Sequence, residues 1–386
     1  MLLFALPAAA TLTIWKADPL ADSLYECCIF LLAGWAVTAT RPGRHASHGP
    51  GLLLAAIALW GFGQMATGAT VYRSATLAAS LRYAALAASA LTAYLVLRSP
   101  AVREGFLRAW AWFGVLLALT GVAAYFTSPG LVLWSIPSPY PDVWGPFLSR
   151  NNFAQFLELV FPVVVYLAAT AGTGRSRWGY GIAGGILLAA GFLSASRAGA
   201  AILVAEALVA AVLAGRSRRT RWSSKPLAAV AVATALILAV SGGTLASRLR
   251  EPDPLSLRRE IFQSATQIIA ARPWQGYGLG TFRDVYPQFA VFDAGRTVEH
   301  AHGDWLEWTV EGGLGFALLW LAGFLLALRG AWRTMWGIGV PAVFLHALVD
   351  DPFARTGVAA WVFILAGAME TVPPPRNDNL QQRRNT

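Results

Sequence analysis

Long runs of apolar residues recur along this chain and constrain its fold more than any other feature. They fall near residues 2–15, 23–40, 50–66, 78–97, 107–126, 152–170, 179–194, 198–214, 226–243, 307–328, 334–349 and 357–371. Crossing a ~30 Å hydrocarbon layer takes about 20 such residues in helical form. In lipid every backbone N–H and C=O must be paired within the chain, which leaves only helices or a closed barrel. The runs are too long and too evenly apolar for barrel strands. The sequence therefore predicts an all-α, polytopic integral membrane protein of about twelve spans. Its charged residues, 13% of the chain, are about half the ~25% of soluble domains.

The formal net charge of +10 does not point to nucleic acid, because the excess sits in short loops between apolar runs. Arg41/Arg44, Arg98/Arg103, Arg175/Arg177, the cluster from Arg216 to Lys225, and Arg329/Arg333 occupy one set of alternate loops, followed by the Arg376/Arg383/Arg384 tail. Positive loops stay cytoplasmic, so both termini are expected inside. The expected organisation is nine spans over 1–243, an outer segment over 244–303, three spans over 304–371 and a cytoplasmic tail over 372–386. The first run lacks a preceding basic region, which favours a retained span over a cleaved signal peptide. Cys27 and Cys28 are adjacent within an apolar run and read as small apolar filler.

This orientation puts four segments on the outer face: 127–151, the turn Ser194–Arg197, the long segment 244–303 and the turn His346–Arg355. In the long segment, Asp253-Pro254 reads as a helix start. Leu257, Ile261, Ala265 and Ile268 then mark one face of a short amphipathic helix that Arg272-Pro273 ends. Such a helix would rest on the outer leaflet or cap the bundle. Gly276-x-Gly278-x-Gly280 follows with no strand before it, so it reads as turn chemistry rather than a dinucleotide fingerprint. Glu158 and Glu206 fall inside spans, where carboxylates are costly and are candidates for function. Glu158 could orient the Asn pair two turns before it. His346 and Asp350 share a helix face at i, i+4 spacing and suggest a structural polar cluster at the bundle mouth.

Four stretches together resemble the O-antigen ligase and polysaccharide polymerase superfamily. Ser149-Arg150-Asn151-Asn152-Phe153-Ala154 is similar to that family's Asn-Arg-Asn-x-Phe-Ala, and Ser196-Arg197-Ala198-Gly199 to its Ser-Arg-x-Gly. Arg258-x-x-x-Phe262 followed by Pro273-x-x-Gly276-x-Gly278 resembles Arg-x-x-x-Trp and Pro-x-x-Gly-x-Gly. His302-Gly303-Asp304-Trp305-Leu306, leading to Gly312-Gly313, resembles His-Asn-x-(aromatic)-Leu ahead of a glycine pair. The chain departs from the pattern at Ser149 (usually Asn), at Gly303 (usually an amide or hydroxyl residue) and at Phe316 (usually Gly).

The resemblance implies a bacterial inner-membrane glycosyltransferase acting at the periplasmic face. Its donor would be an undecaprenyl-diphosphate-linked glycan and its acceptor a glycolipid or glycan hydroxyl, with no metal and no cofactor. Cations must hold the diphosphate, a task that suits arginine's planar fork. A base must take the acceptor's proton, which suits an imidazole. The resemblance casts Arg197 and Arg258 as diphosphate ligands and His302 as base. Arg150, Asn151, Asn152, Arg259, Arg272, His300 and Asp304 are substrate-side candidates. From the residues alone, Arg197 could be a snorkelling anchor, and His302 a structural histidine paired with Glu299 or Asp304. His300 could be its neighbouring partner or the base itself. Transporters put their sites near the midplane, often within inverted repeats; no repeat is visible here, and the candidates gather on one side.

Overall fold

The computed structural model describes residues 1–16, 19–40, 48–216, 250, 258–292, 295 and 297–373. The expected span near 226–243, the helix start at Asp253-Pro254 and the tail lie outside them. Thirteen α-helices are described: α1 Leu2–Leu12, α2 Pro19–Ala39, α3 His48–Thr67, α4 Arg73–Val96, α5 Pro100–Thr127, α6 Arg150–Thr170, α7 Gly174–Leu193, α8 Arg197–Arg216, α9 Arg258–Ala271, α10 Phe282–Val285, α11 Asp304–Arg333, α12 Gly339–His346 and α13 Thr356–Met369. Six of the described helices are long and apolar enough to cross a membrane, and three shorter ones are apolar. Large apolar side chains such as Leu31, Trp35, Leu116, Leu318 and Trp332 point outward, as lipid-facing helices require. The fold is an all-α membrane protein.

The helix boundaries follow from local chemistry. Pro100 at the first turn of α5 fills a place where no amide donor is needed. Ser149 caps α6 by accepting the Asn151 amide at 3.2 Å, a job its hydroxyl does as well as the usual Asn. In α6, 78% of the apolar window is buried, against 22–56% for the other five candidate spans; α6 is the central helix. The segment 127–151 adds one two-residue antiparallel ladder, Leu131–Val132 with Ile136–Pro137. Trp144 closes that segment onto the bundle by stacking against Tyr125 at 4.2 Å and Phe153 at 5.2 Å.

The amphipathic helix ends at Ala271, as Arg272-Pro273 implies. Its buried Ile261, Ala265 and Ile268 join Tyr277, Phe282, Val285, Tyr286, Ala301 and Val310 in a small core of their own. Because Val310 belongs to α11, this core caps the bundle.

The cap is fastened where α11 breaks. Gly313 sits at φ 73°, ψ 179° inside the helix, an extended left-handed geometry open to glycine alone. The break frees backbone groups, and the glycine-rich turn takes them up. Leu314 N donates to Pro273 O at 2.8 Å, and Gly278 N to Glu311 O at 2.8 Å. Gln64 of α3 completes the joint: its amide donates to Gln275 O and Glu311 O, and its oxygen accepts the Leu279 amide at 3.1 Å. A Cβ at Gly276 would lie 2.2 Å from Glu311 O, and one at Gly313 2.1 Å from Trp274 O. The two glycine motifs are thus halves of one contact. Gly313→Ala is expected to destabilise the protein by about 1–3 kcal/mol or more, read as a lower melting temperature in detergent. Gly34→Ala, whose added Cβ meets nothing within 4 Å, should leave it unchanged.

Candidate functional site

The loop into α11 carries the histidine pair. His302 takes φ 53°, left-handed for a residue with a side chain. Such a backbone persists only where its surroundings enforce it. Ala195, two residues before Arg197, has φ 52°, so two of the four described non-glycine residues with positive φ adjoin candidate motifs. His302 aims its buried Nδ1 toward Asp351 Oδ1 at 3.7 Å, longer than a hydrogen bond, while 42% of its side chain is exposed. The partner is therefore Asp351, and neither Glu299 nor Asp304 fills that role.

His300 has a different partner. Its Nδ1 lies 3.0 Å from Glu307 Oε1, and Glu307 Oε2 accepts the Ala301 amide at 2.8 Å. One carboxylate thus fixes the segment leading to His302. Burial pushes the His300 imidazole down, but Glu307 and Asp351 outweigh it, and the value rises from 6.5 to about 9.

Asp350 and Asp351 occupy the turn after α12. Since α12 ends at His346, the expected common helix face for His346 and Asp350 does not exist. Arg258 crosses from α9, donates to Val349 O and lies 3.8 Å from Asp350 Oδ1. Arg355 lies 3.6 Å from Asp351 Oδ2, and Arg82 of α4 donates to Ala354 O at 3.4 Å. Burial and the neighbouring Asp351 push the Asp350 carboxyl up to about 6. For Asp351, burial works in the same direction, yet His302, the Asp350 contact, His300 and Arg355 hold it well below the usual carboxylate range. Of the two, Asp351 holds its negative charge to lower pH, on the side of His302.

Asp304 faces inward: it is 3% exposed, its Oδ2 accepts the Phe353 amide at 2.9 Å, and its own amide donates to Asp350 O at 3.2 Å. It ties α11 to the aspartate turn. Gly303 occupies the place of the usual amide residue. A Cβ there would meet Leu348 O at 3.2 Å, so this same turn crowds the space that an Asn side chain would enter.

The remaining candidates form a second group at the starts of α6 and α8. Ser196 Oγ donates to Asn151 Oδ1 at 2.9 Å, joining the first two motifs and setting Arg197 beside Asn151. Arg150 is half-buried, 4.0 Å from Asp142. Asn152 is buried and donates to Gln155 at 2.9 Å. Glu158 does not orient this pair; its Oε1 meets His346 Nδ1 at 2.7 Å, both side chains being buried. That bond pins the end of α12 two turns into α6, so both groups occupy one end of the bundle. Arg259 is exposed on α9, and Arg272 stacks over Tyr277 at 4.6 Å, on the cap.

His302, Asp350 and Asp351 each offer a ligand atom within 4.8 Å of one another. Arg258 and Arg355 already supply counter-charge to both carboxylates, and three donors make a thin set for a divalent ion.

Residues 182–321 match the O-antigen ligase family model. The match supports the superfamily read from the four motifs and takes in the second, third and fourth of them. The Arg150-Asn151-Asn152 motif and the aspartate turn fall outside it. No curated protein matches the chain. Sequence reasoning reads Asp351 and Arg355 only as neighbours of a structural polar cluster and does not single out Arg82; the structure gathers all three at the turn beside His302. The adjacent aspartates at a span end were the available signal, but their partners lie far away in sequence.

The His300 pair has a pH signature. A folded-state value raised to about 9 from 6.5 means its stabilisation is complete below about pH 6.5 and is lost as pH rises through about 9. The melting temperature should therefore fall between pH 7 and 10, and His300→Gln should flatten that fall.

Proposed function

We propose that the chain is a membrane glycosyltransferase that moves a glycan from an undecaprenyl-diphosphate-linked donor to an acceptor hydroxyl at the periplasmic face of the inner membrane. The acceptor is the lipid A core in the ligase reading. Another lipid-linked repeat unit is the acceptor if the protein is a polymerase, and the departure at Gly303 falls on the acceptor side of that choice. The observation that carries the proposal is the geometry of His302: its Nδ1 is buried toward an anionic Asp351, and the rest of the ring is exposed.

An anion behind Nδ1 favours the tautomer with its proton there, leaving Nε2 free to accept one. The acceptor hydroxyl would give its proton to Nε2 as its oxygen attacks the anomeric carbon. The bond from that carbon to the diphosphate oxygen breaks, and the diphosphate leaves with the electron pair. Asp351 stabilises the imidazolium that forms. Arg258 and Arg197 neutralise the leaving diphosphate, where charge grows most in the transition state. Arg150 and Asn151 line the donor side next to Arg197. Asp350 has a supporting task, fixing Arg258 in place.

His302→Ala should lower transfer by about 100-fold to 10,000-fold, the usual contribution of a general base, with the melting temperature maintained. Reconstitution with a lipid-linked glycan donor and candidate acceptors measures this. Arg258→Ala should be as damaging, and full transfer by both variants would remove the site. Glycolipid movement across vesicles without new glycosidic bonds would favour a flippase instead. A cysteine replacing Ala290, in a chain lacking Cys27 and Cys28, should react with an impermeant maleimide added to the periplasm. Labelling from the cytoplasm alone would reverse the orientation.

A further inference from the structure

An apolar cavity lined by α3, α4, α11, α12 and α13 lies at the other end of the bundle from His302. Small side chains create it: Ala87 and Ala88 on α4 and Gly323 on α11 leave room that larger residues would fill. Gly367 lets α13 approach α4 closely, since a Cβ there would lie 2.1 Å from Ala90 O. The cavity has a volume of about 800 Å³, inside the ~300–1,000 Å³ range of pockets that enclose a whole ligand.

Its dimensions match half a bilayer. The lining runs from Pro50 to Ile57 on α3, from Tyr94 to Ala87 on α4 and from Glu370 to Val362 along α13. At ~1.5 Å per residue these spans are about 10–12 Å deep, most of one leaflet of a ~30 Å hydrocarbon layer. Trp320, Phe344 and Phe363 close the inner end, and Tyr94 and Glu370 mark the outer end.

Charge gathers at that outer end alone. Arg98 stacks 4.7 Å from the Tyr94 ring. Arg333 lies 3.3 Å from Glu370 Oε1, and Arg103 donates to the adjacent Thr371 hydroxyl at 2.9 Å. Among the described residues, Arg103 and Arg333 outnumber the Glu370 carboxylate at headgroup depth, above an apolar slot, with Arg98 on the neighbouring Tyr94. Arginine pairs with phosphate through its planar fork.

We infer that this groove is a binding site for one anionic diacyl phospholipid of the leaflet opposite the candidate active site, its acyl chain in the slot and its phosphate at the Arg98–Arg103–Arg333 rim. The inference is independent of the donor chemistry proposed above. Binding of a lipid there would brace α3, α4, α11 and α13 against one another.

The full chain in mild detergent, analysed by native mass spectrometry, tests it. One phospholipid of phosphatidylglycerol mass should stay bound per chain. Gly323→Phe should release it, because an added Cβ meets only Leu53 and Phe344, both at 3.9 Å, and the ring would extend into the slot. Arg98→Gln combined with Arg103→Gln should cut the preference for phosphatidylglycerol over phosphatidylcholine by about tenfold. As a check free of folding effects, wild-type protein should melt at higher temperature in phosphatidylglycerol nanodiscs than in phosphatidylcholine nanodiscs. Absence of any retained lipid, retention unaffected by Gly323→Phe, equal behaviour in the two lipids, or a polyprenyl phosphate found in place of the phospholipid would overturn the inference.

Discussion

Two adjacent carboxylates can be buried side by side only if cations and donors reach them from several directions. The end of the bundle that carries the four motifs is arranged around that requirement. Arg258 comes from the cap, Arg355 from the start of α13, and His302 from the loop before α11. The Asp350 carbonyl takes the Asp304 amide, tying the first turn of α11 to the same point. Segments nearly 100 residues apart thus converge on a five-residue turn. The same turn crowds Gly303, which connects the chain's departure from the O-antigen ligase pattern to a local packing fact. An anion set behind a ring nitrogen is also what a histidine base needs, so the electrostatic demand of the fold and the chemical demand of the site coincide.

Beneath that turn lies an intramembrane pair whose role is support. Glu158 and His346 are fully buried and hydrogen-bonded at 2.7 Å, and Glu206 is buried with them. Breaking such a pair leaves one polar group stranded in a low-dielectric medium, a cost of about 3–5 kcal/mol. The bond therefore fixes the end of α12 against α6, the central helix, and with it the turn that holds Asp350 and Asp351. The motif at the start of α6 and the aspartate turn cannot move independently. The opposite end of the bundle has a contrasting design, with small residues, an apolar slot and a positive rim, suited to lipid rather than to a polar substrate.

Much of this protein was legible in its residues. Apolar run length dictates membrane helices because lipid leaves the backbone no other partner, and the observed helices follow the runs closely. The amphipathic helix ends where Arg272-Pro273 stops it, and its Ile261, Ala265 and Ile268 face is buried as its period requires. The Gly276-x-Gly278-x-Gly280 turn was readable as a turn, since glycine adopts positive φ at no steric cost. The four motifs pointed to the O-antigen ligase family, which the match over 182–321 supports.

Partnership was decided by tertiary structure. Spacing suggested that His346 and Asp350 share a helix face, but α12 stops at His346 and the two residues take different partners. Glu158 reaches across 188 positions to His346, and no local period encodes such a contact. Asp351 neighbours His302 because the fold sets the loop before α11 over the turn before α13, where the Asp304 amide meets the Asp350 carbonyl. Sequence by itself determined where helices begin, end and bury a face, because those depend on residues within a few positions of one another. Which charge meets which was settled by the packing of distant helices, where burial, not chain proximity, sets the energy of leaving a partner unmet.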